Sequence, residues 1–419
     1  MATSPWPRAL VPFRSDQYRL LAGSFVLSLV GSGIWTVTVA WRLLDLGHGP
    51  AGLAMVASTT TAALVVTALA GGVLADRLSR RNLIARIGAV KAASVATVVA
   101  ADVTGEPGLP QLIVVAAVLG GADGIFFPAY SASVPSVIPE AELLAVNSIE
   151  SLLRPVMLQA AGPLVASALI GLASPVVAWA GTAVAFAGSA ACAAGMRRDP
   201  ARVNPPGGGL ALRQSVTDLR SAVVYVATTR WLVATLVFAV AVVLAYAGPI
   251  QVLLPAVVRD HAHGGPEDLA LVTAGYGAGA IGGSLVMAST LMPRRYLTAM
   301  LLMWGVACVP LAVMGLSDHV WLMALALSIC GALVACAGAL WGTLLQRRVP
   351  HEMLGRVSSL DFFVSLSAAP VSAALVVPAA EAWGIPAVYL VAGIAPLTVA
   401  VLALTLGGLR RDELAHPLR

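Results

Sequence analysis

Apolar residues in this chain neither alternate with polar ones nor recur every third or fourth position; they run together. Twelve such runs can be marked, over residues 20–41, 51–75, 84–101, 111–135, 149–173, 176–196, 231–258, 269–292, 296–316, 320–345, 357–380 and 385–409. Each is close to the roughly 20 residues that a helix needs to cross a bilayer core of about 30 Å. The pattern therefore predicts an all-α integral membrane protein of twelve transmembrane helices. The third run is the weakest, because Arg86 and Lys91 fall in its first turns; both side chains are long enough to snorkel to the interface.

The polar residues between the runs carry a second signal. Of the 25 Lys and Arg, 21 fall at the N-terminus, after the second, sixth, eighth and tenth runs and at the C-terminus, whereas the opposite loops hold only Arg42 and Arg259. By the positive-inside rule both termini are expected on the cytoplasmic side. Composition agrees: 59% of the 419 residues are hydrophobic and 11% charged, against about 25% charged in a soluble domain. A pI of 9.3 then reflects loop arginines rather than a nucleic-acid surface. Cys192, Cys308, Cys330 and Cys336 all lie in apolar runs and are expected to behave as small buried hydrophobes.

One long polar stretch breaks the series at its centre, over 197–230, with Pro205, Pro206 and the glycines Gly207, Gly208 and Gly209. It separates an N-terminal six-helix half, 1–196, from a C-terminal half, 231–419. Across it the sequence repeats weakly at one offset of 211: Arg19 with Arg230, Gly71 and Gly72 with Gly282 and Gly283, Gly120 with Gly331, Tyr130 with Trp341, Pro139 with Pro350, and Glu150 with Asp361. An even number of spans per repeat gives both halves the same orientation, so they relate by a pseudo-two-fold axis along the membrane normal with a substrate path between them.

After the second run come Gly72, Asp76, Arg77, Ser79, Arg80 and Arg81. Their spacing resembles the G-x-x-x-D-R-x-G-R-R signature of the major facilitator superfamily, with serine where its second glycine is usual. Phe127, Pro128 and Ala129, Leu143 through Ser148, Gly162 and Pro163, Leu345 and Gln346, and Leu354 through Val357 resemble the bacterial branch of macrolide-efflux-like and enterobactin-exporter-like proteins. Gly162 and Pro163 also resemble the start of the antiporter motif G-P-x-x-G-G, but Ala166 and Ser167 stand at its glycine pair. The resemblance implies a secondary transporter, not an enzyme. It would export a small amphipathic molecule, such as a drug, an antibiotic or a siderophore-like compound, in exchange for protons by alternating access. Uptake of a nutrient, or movement of lipid between leaflets, is the alternative on the same fold. It also implies that Gly72, Asp76, Arg77, Arg80 and Arg81 form a gate with the start of helix 11.

Charges at membrane depth are functional candidates because an unpaired one costs several kcal/mol there. Asp123, in the fourth run, and Glu150, in the fifth, are the proton-coupling candidates. For Asp123 the competing reading is a structural carboxyl satisfied by a hydroxyl or by Arg154. Glu150 and Arg154, four apart on one helix, can pair; Asp361 and Arg154 are expected at the gate. An apolar lining with polar orienters is available from Trp35, Thr38, Phe126, Phe127, Tyr130, Tyr246, Gln251, Tyr276, Trp341 and Phe362. The six histidines form no site, and neither a metal nor a cofactor is expected. The expected partners are a small-molecule substrate, a proton or ion gradient and the lipid bilayer, with the chain acting as a monomer. A single cysteine introduced within 197–230 should react with impermeant maleimide only in inside-out vesicles; reaction in intact cells would reverse the orientation.

Overall fold

The computed structural model describes residues 8–46, 49–105, 107–172, 174–197, 220–260, 262–263 and 266–418, and these are almost entirely helical. Most of the linker, and the side chains of Gly72, Asp76 and Arg77, lie outside the described residues. In the first half, α1 spans Asp16–Asp45, α2 Gly49–Arg77, α3 Arg80–Thr104 and α4 Leu109–Val137; α5 runs through Leu143–Val156, a π-helical turn Met157–Ala161, and Gly162–Leu172; and α6 covers Pro175–Gly195. In the second half, α7 runs through Arg230–Gly248, a π-turn Pro249–Leu253, and Leu254–Asp260; α8 is Pro266–Ala288 and α9 is Tyr296–Cys308 with Leu311–Leu316. Then follow α10, Val320–Arg348, α11, Leu354–Trp383, and α12, Ile385–Leu406, with a short amphipathic α13, Leu409–Ala415, on the face that carries the termini.

Each expected run falls on one helix, and the chain has the twelve-helix fold. The ends are set by local chemistry that hydropathy does not see. Pro110, Pro175 and Pro386 sit in the first turns of α4, α6 and α12, where a missing N–H is harmless. Pro310 falls where α9 breaks. The helix of the fifth run begins at Leu143, six residues before the apolar run, because its first turns are buried between helices instead of facing lipid.

The packing repeats pair by pair. Within the first six helices α2 packs on α4, α1 on α5 and α6, and α3 on α6; within the second six α8 packs on α10, α7 on α11 and α12, and α9 on α12. Between the two sets, α2 lies along α11 and α5 along α8 and α10. Separate apolar cores fill the bundles, one around Phe25, Phe126 and Tyr130 and one around Trp231, Tyr296 and Tyr389. The outer surface is apolar and exposed, with Val66, Val184 and Leu164 on the first half and Trp321 and Trp383 at helix ends, as lipid contact requires.

Lipid tails are as apolar as leucine, so helices associate in a membrane through close packing, which small residues permit. Gly275, Gly279 and Gly283 form a stripe on α8 against the backbone of α10, and Gly120 and Gly124 place α4 against α2 in the same way. Glycines flank Asp123 for this reason: they seat α4 against α2. On α5, Gly162 meets Gly33 of α1, where an added Cβ on Gly33 would come within 2.9 Å of the Gly162 Cα. Ala166, one turn on, is fully buried in that contact. A Cβ at Gly120 would overlap the Thr60 carbonyl, whereas Gly277 faces open space. Gly120→Leu should therefore destabilise the protein by about 1–3 kcal/mol or more and Gly277→Leu should be silent, read as thermal midpoints in detergent; equal midpoints would refute the α2/α4 packing.

Candidate functional site

Between the two bundles lies a cavity of about 180 Å³, walled by α4, α5, α10 and α11. Two carboxylates face it from opposite halves. Tyr130 Oη donates to Glu150 Oε1 at 2.8 Å, and Trp341 Nε1 donates to Asp361 Oδ2 at 3.0 Å. These are the same interaction twice, since the four residues are two pairs related by the offset of 211. The correspondence extends along the wall: Phe127 matches Gly338, Ser131 matches Gly342, Asn147 matches Ser358, and Ser151 matches Phe362, all lining the same cavity. Each donor is braced by aromatic neighbours. Phe25 stacks on Tyr130 at 4.4 Å, and Trp231 and Trp304 lie 6.2 and 6.5 Å from Trp341.

Arg154 has no charged counterpart, its repeat position being Ser365. Its guanidinium lies 4.3 Å from the ring centre of Phe127, 5.7 Å from Phe25 and 5.8 Å from Phe362 across the interface. Phe127 and Phe362 are themselves stacked at 5.8 Å. Cation–π contacts of this kind are worth about 0.5–2 kcal/mol each. The expected pairing of Glu150 with Arg154 gives way to Tyr130 on one side and the phenylalanines on the other, because the arginine is drawn toward the aromatic seam between the halves. Ser358 Oγ is buried in the wall and makes no hydrogen bond among the described residues.

On the face that carries the termini the cavity is shut. Asn147 Nδ2 donates to Gln346 Oε1 at 2.7 Å and to Thr343 Oγ1 at 3.3 Å, and Gln346 reaches the Ser131 carbonyl at 3.4 Å. Arg347 of α10 pairs with Glu140, before α5, at 3.5 Å. Arg80 bridges the halves, donating to the carbonyl of Ala132 and, at 3.3 Å, to that of His351. Arg81 stays within its own half, on the Ala194 carbonyl at 3.1 Å. Asp361 and Arg154, expected in this gate, line the cavity instead. Asp76 and Arg77 lie outside the described side chains. The amide latch of Asn147 and Gln346 was missed because neutral amides at helix ends carry no charge signal.

Asp123 lies outside the cavity lining. It pairs with Lys91 at 2.7 Å inside the first bundle, and Lys91 is fully buried rather than snorkelling. Both outcomes share one cause: α3 packs against α4 and α6, so the lysine points into the bundle, where it meets the aspartate of α4 and the serines of α1. Of the expected lining, Phe127, Tyr130, Trp341 and Phe362 come together at the cavity. Trp35, against Trp179 at 5.1 Å, Thr38, bonded to the Ile34 carbonyl, and Phe126 belong to the first bundle's core. Tyr246 and Tyr276 pack on the second core, and Gln251 is exposed in the π-turn of α7.

A family model described as transmembrane secretion effector matches residues 7–415. Among solved structures, a bacterial homologue of the iron transporter ferroportin in an outward-facing state superposes with a TM-score of 0.70 at 19% identity, over 92% of this chain and 98% of that one. The major facilitator superfamily proton:xylose symporter XylE superposes with a TM-score of 0.62 at 13% identity, over 93% of this chain and 96% of that one. No curated protein matches the chain. Cysteines replacing Glu140 and Arg347 should crosslink readily under mild oxidant. Asn147→Ala, which removes the amide shared by α5 and α10, should lower that yield severalfold; an unchanged yield would take the amide out of the latch.

Proposed function

The chain belongs to the transmembrane secretion effector family of the major facilitator superfamily, and on that premise we propose that it exports a small amphipathic molecule in exchange for protons. The two six-helix halves, 1–196 and 231–419, would rock about the cavity, joined by a cytoplasmic linker over 197–230. The observation that supports this best is the pair of carboxylates facing the cavity, Glu150 and Asp361, one from each half.

The sign of coupling follows from charge. Two carboxylates against the single guanidinium of Arg154 give the cavity an excess of negative charge, which favours a substrate with a cationic or strongly dipolar end. A proton arriving on either carboxyl cancels that attraction, so proton and substrate compete and must travel in opposite directions. With the proton gradient directed inward, the substrate moves out. An anionic substrate would instead be helped by protonation and would move with the proton, which is the uptake alternative. The aromatic seam of Phe127, Phe362, Tyr130 and Trp341 suits the apolar body of such a substrate. A volume of about 180 Å³ is below the roughly 300–1,000 Å³ of drug-sized pockets, so the cavity must widen to load. The side we assign to the cytoplasm by its arginines is the one closed by Asn147, Gln346 and Arg80, which fits an outward-facing or occluded stage of the cycle.

The test is counterflow in proteoliposomes, using a panel of radiolabelled cationic antibiotics, siderophores and nutrients, with and without an imposed pH gradient. Glu150→Gln should keep counterflow of a transported compound while gradient-driven accumulation falls about tenfold or more. Accumulation that rises when substrate and proton gradients point the same way would show cotransport and overturn the export reading.

A further inference from the structure

The buried pair of Lys91 and Asp123 takes no part in the cavity. Lys91 Nζ is fully enclosed, with Asp123 Oδ1 at 2.7 Å, Ser28 Oγ at 3.0 Å and Ser32 Oγ at 3.3 Å, and the Phe186 ring centre 4.1 Å away. Asp123 keeps 15% of its side chain exposed. Replacing a buried ion pair by apolar residues is often neutral or stabilising, so such a pair by itself is weak evidence of a structural need.

Here the repeat supplies the comparison. At the offset of 211, Lys91 corresponds to Leu302, Asp123 to Val334, Ser28 to Ala239, Ser32 to Val243 and Phe186 to Leu397. Leu302 and Val334 pack against the second bundle's core. The same helix arrangement is thus built in one half with an apolar cage and in the other with a polar one. What the polar cage adds is chemistry that the fold does not demand.

We infer that Lys91 and Asp123 form a proton-binding station within the first bundle, separate from the central cavity. A proton from water adds to the partly accessible Asp123 carboxylate and neutralises it; a hydronium ion is left as water, the only bond formed on the protein is the new O–H, and the cage passes from net neutral to one positive charge. The ion pair opens, and the Lys91 ammonium stays held by the hydroxyls of Ser28 and Ser32 on α1 and by the face of Phe186 on α6. Those partners are what allow opening without an orphaned cation. The groups facing the pair are these three, Phe126 of α4 at 6.0 Å from Lys91 Nζ, Thr67 of α2, which bonds the Gly121 carbonyl, and Arg154 of α5. Arg154 lies within electrostatic reach of both Asp123 and Glu150, so a change of charge at the station is felt at the cavity wall. The station rests on the exporter reading only for what its proton drives.

The proton can be read directly, without substrate. Purified protein in lipid nanodiscs is taken through a pH titration while infrared difference spectra are recorded, in a Glu150→Gln, Asp361→Asn background that removes the cavity carboxyls. That background should show a protonated-carboxyl C=O band, and adding Lys91→Leu with Asp123→Val should abolish it with the melting profile kept, as the apolar cage of the second bundle implies. No band in the background, or an unchanged band in the paired replacement, overturns the assignment. So does failure of both that pair and the milder Lys91→Gln with Asp123→Asn to fold, which would make the ion pair a requirement of the bundle. Because counterflow is measured separately, export can fail while the station stands.

Discussion

A polar group in hydrocarbon must find its partner within the protein, and the structure follows from that requirement. Backbone groups meet it by forming helices throughout. Side chains meet it pairwise: Lys91 with Asp123, Glu150 with Tyr130, Asp361 with Trp341, and Arg154 with the rings of Phe127, Phe25 and Phe362. The partners come from different helices in most cases, so each satisfied charge also fixes how two helices sit together. Where the partners are neutral aromatics the tie is weak enough to exchange, and those are the groups that face the cavity.

The helix backbones make the second half of the arrangement. With no hydrophobic force between helices in lipid, α2 and α4, and equally α8 and α10, are held by the close approach that their glycines permit. These tight pairs make each bundle stiff. The bundles also pack on one another, α2 along α11 and α5 along α8 and α10. The polar bonds described at the closed face are the amides of Asn147 and Gln346, the pair of Arg347 with Glu140 and the bond from Arg80 to the His351 carbonyl, each worth only about 0.5–3 kcal/mol net. Stiff bundles whose closed face is held by exchangeable bonds suit a rocking motion.

Twelve runs, the central break and the offset of 211 made the fold legible in the sequence, because bilayer thickness dictates run length and the repeat keeps its register. The site was legible in part. Glu150, Asp361, Tyr130 and Trp341 stood out as chemistry matched across the repeat, and the structure brings them together. Their partners did not, since a hydrogen bond from Tyr130 to Glu150 depends on how α4 crosses α5, which no periodicity encodes. Lys91 illustrates the limit. Hydropathy places it near a helix end, where a lysine can reach the interface, and only the rotation of α3 turns it inward. Trp35 and Thr38 fail as lining for the same reason: α1 presents them to α6 and to its own backbone.

Departures from symmetry localise function more sharply than the symmetry itself. A cavity built from two equivalent carboxylate-aromatic pairs would present the same chemistry to both halves, and nothing in it would orient a bound molecule. Arg154, matched by Ser365, and the cage of Lys91, matched by Leu302, both break the equivalence on the first half. They are neighbours in charge, since Arg154 lies within reach of Asp123 as well as Glu150. Arg154 thereby puts a positive charge on the wall of α4 and α5, whereas the wall of α10 and α11 carries Asp361 as its charged group among the described lining residues. A molecule with a cationic end, as proposed for the substrate, would then be drawn toward Asp361 and away from Arg154, meeting the wall of α10 and α11 charge-first and that of α4 and α5 with its apolar body. In a rocking cycle the stronger electrostatic contact would stay with the second half, and release would depend on what happens to the charge there.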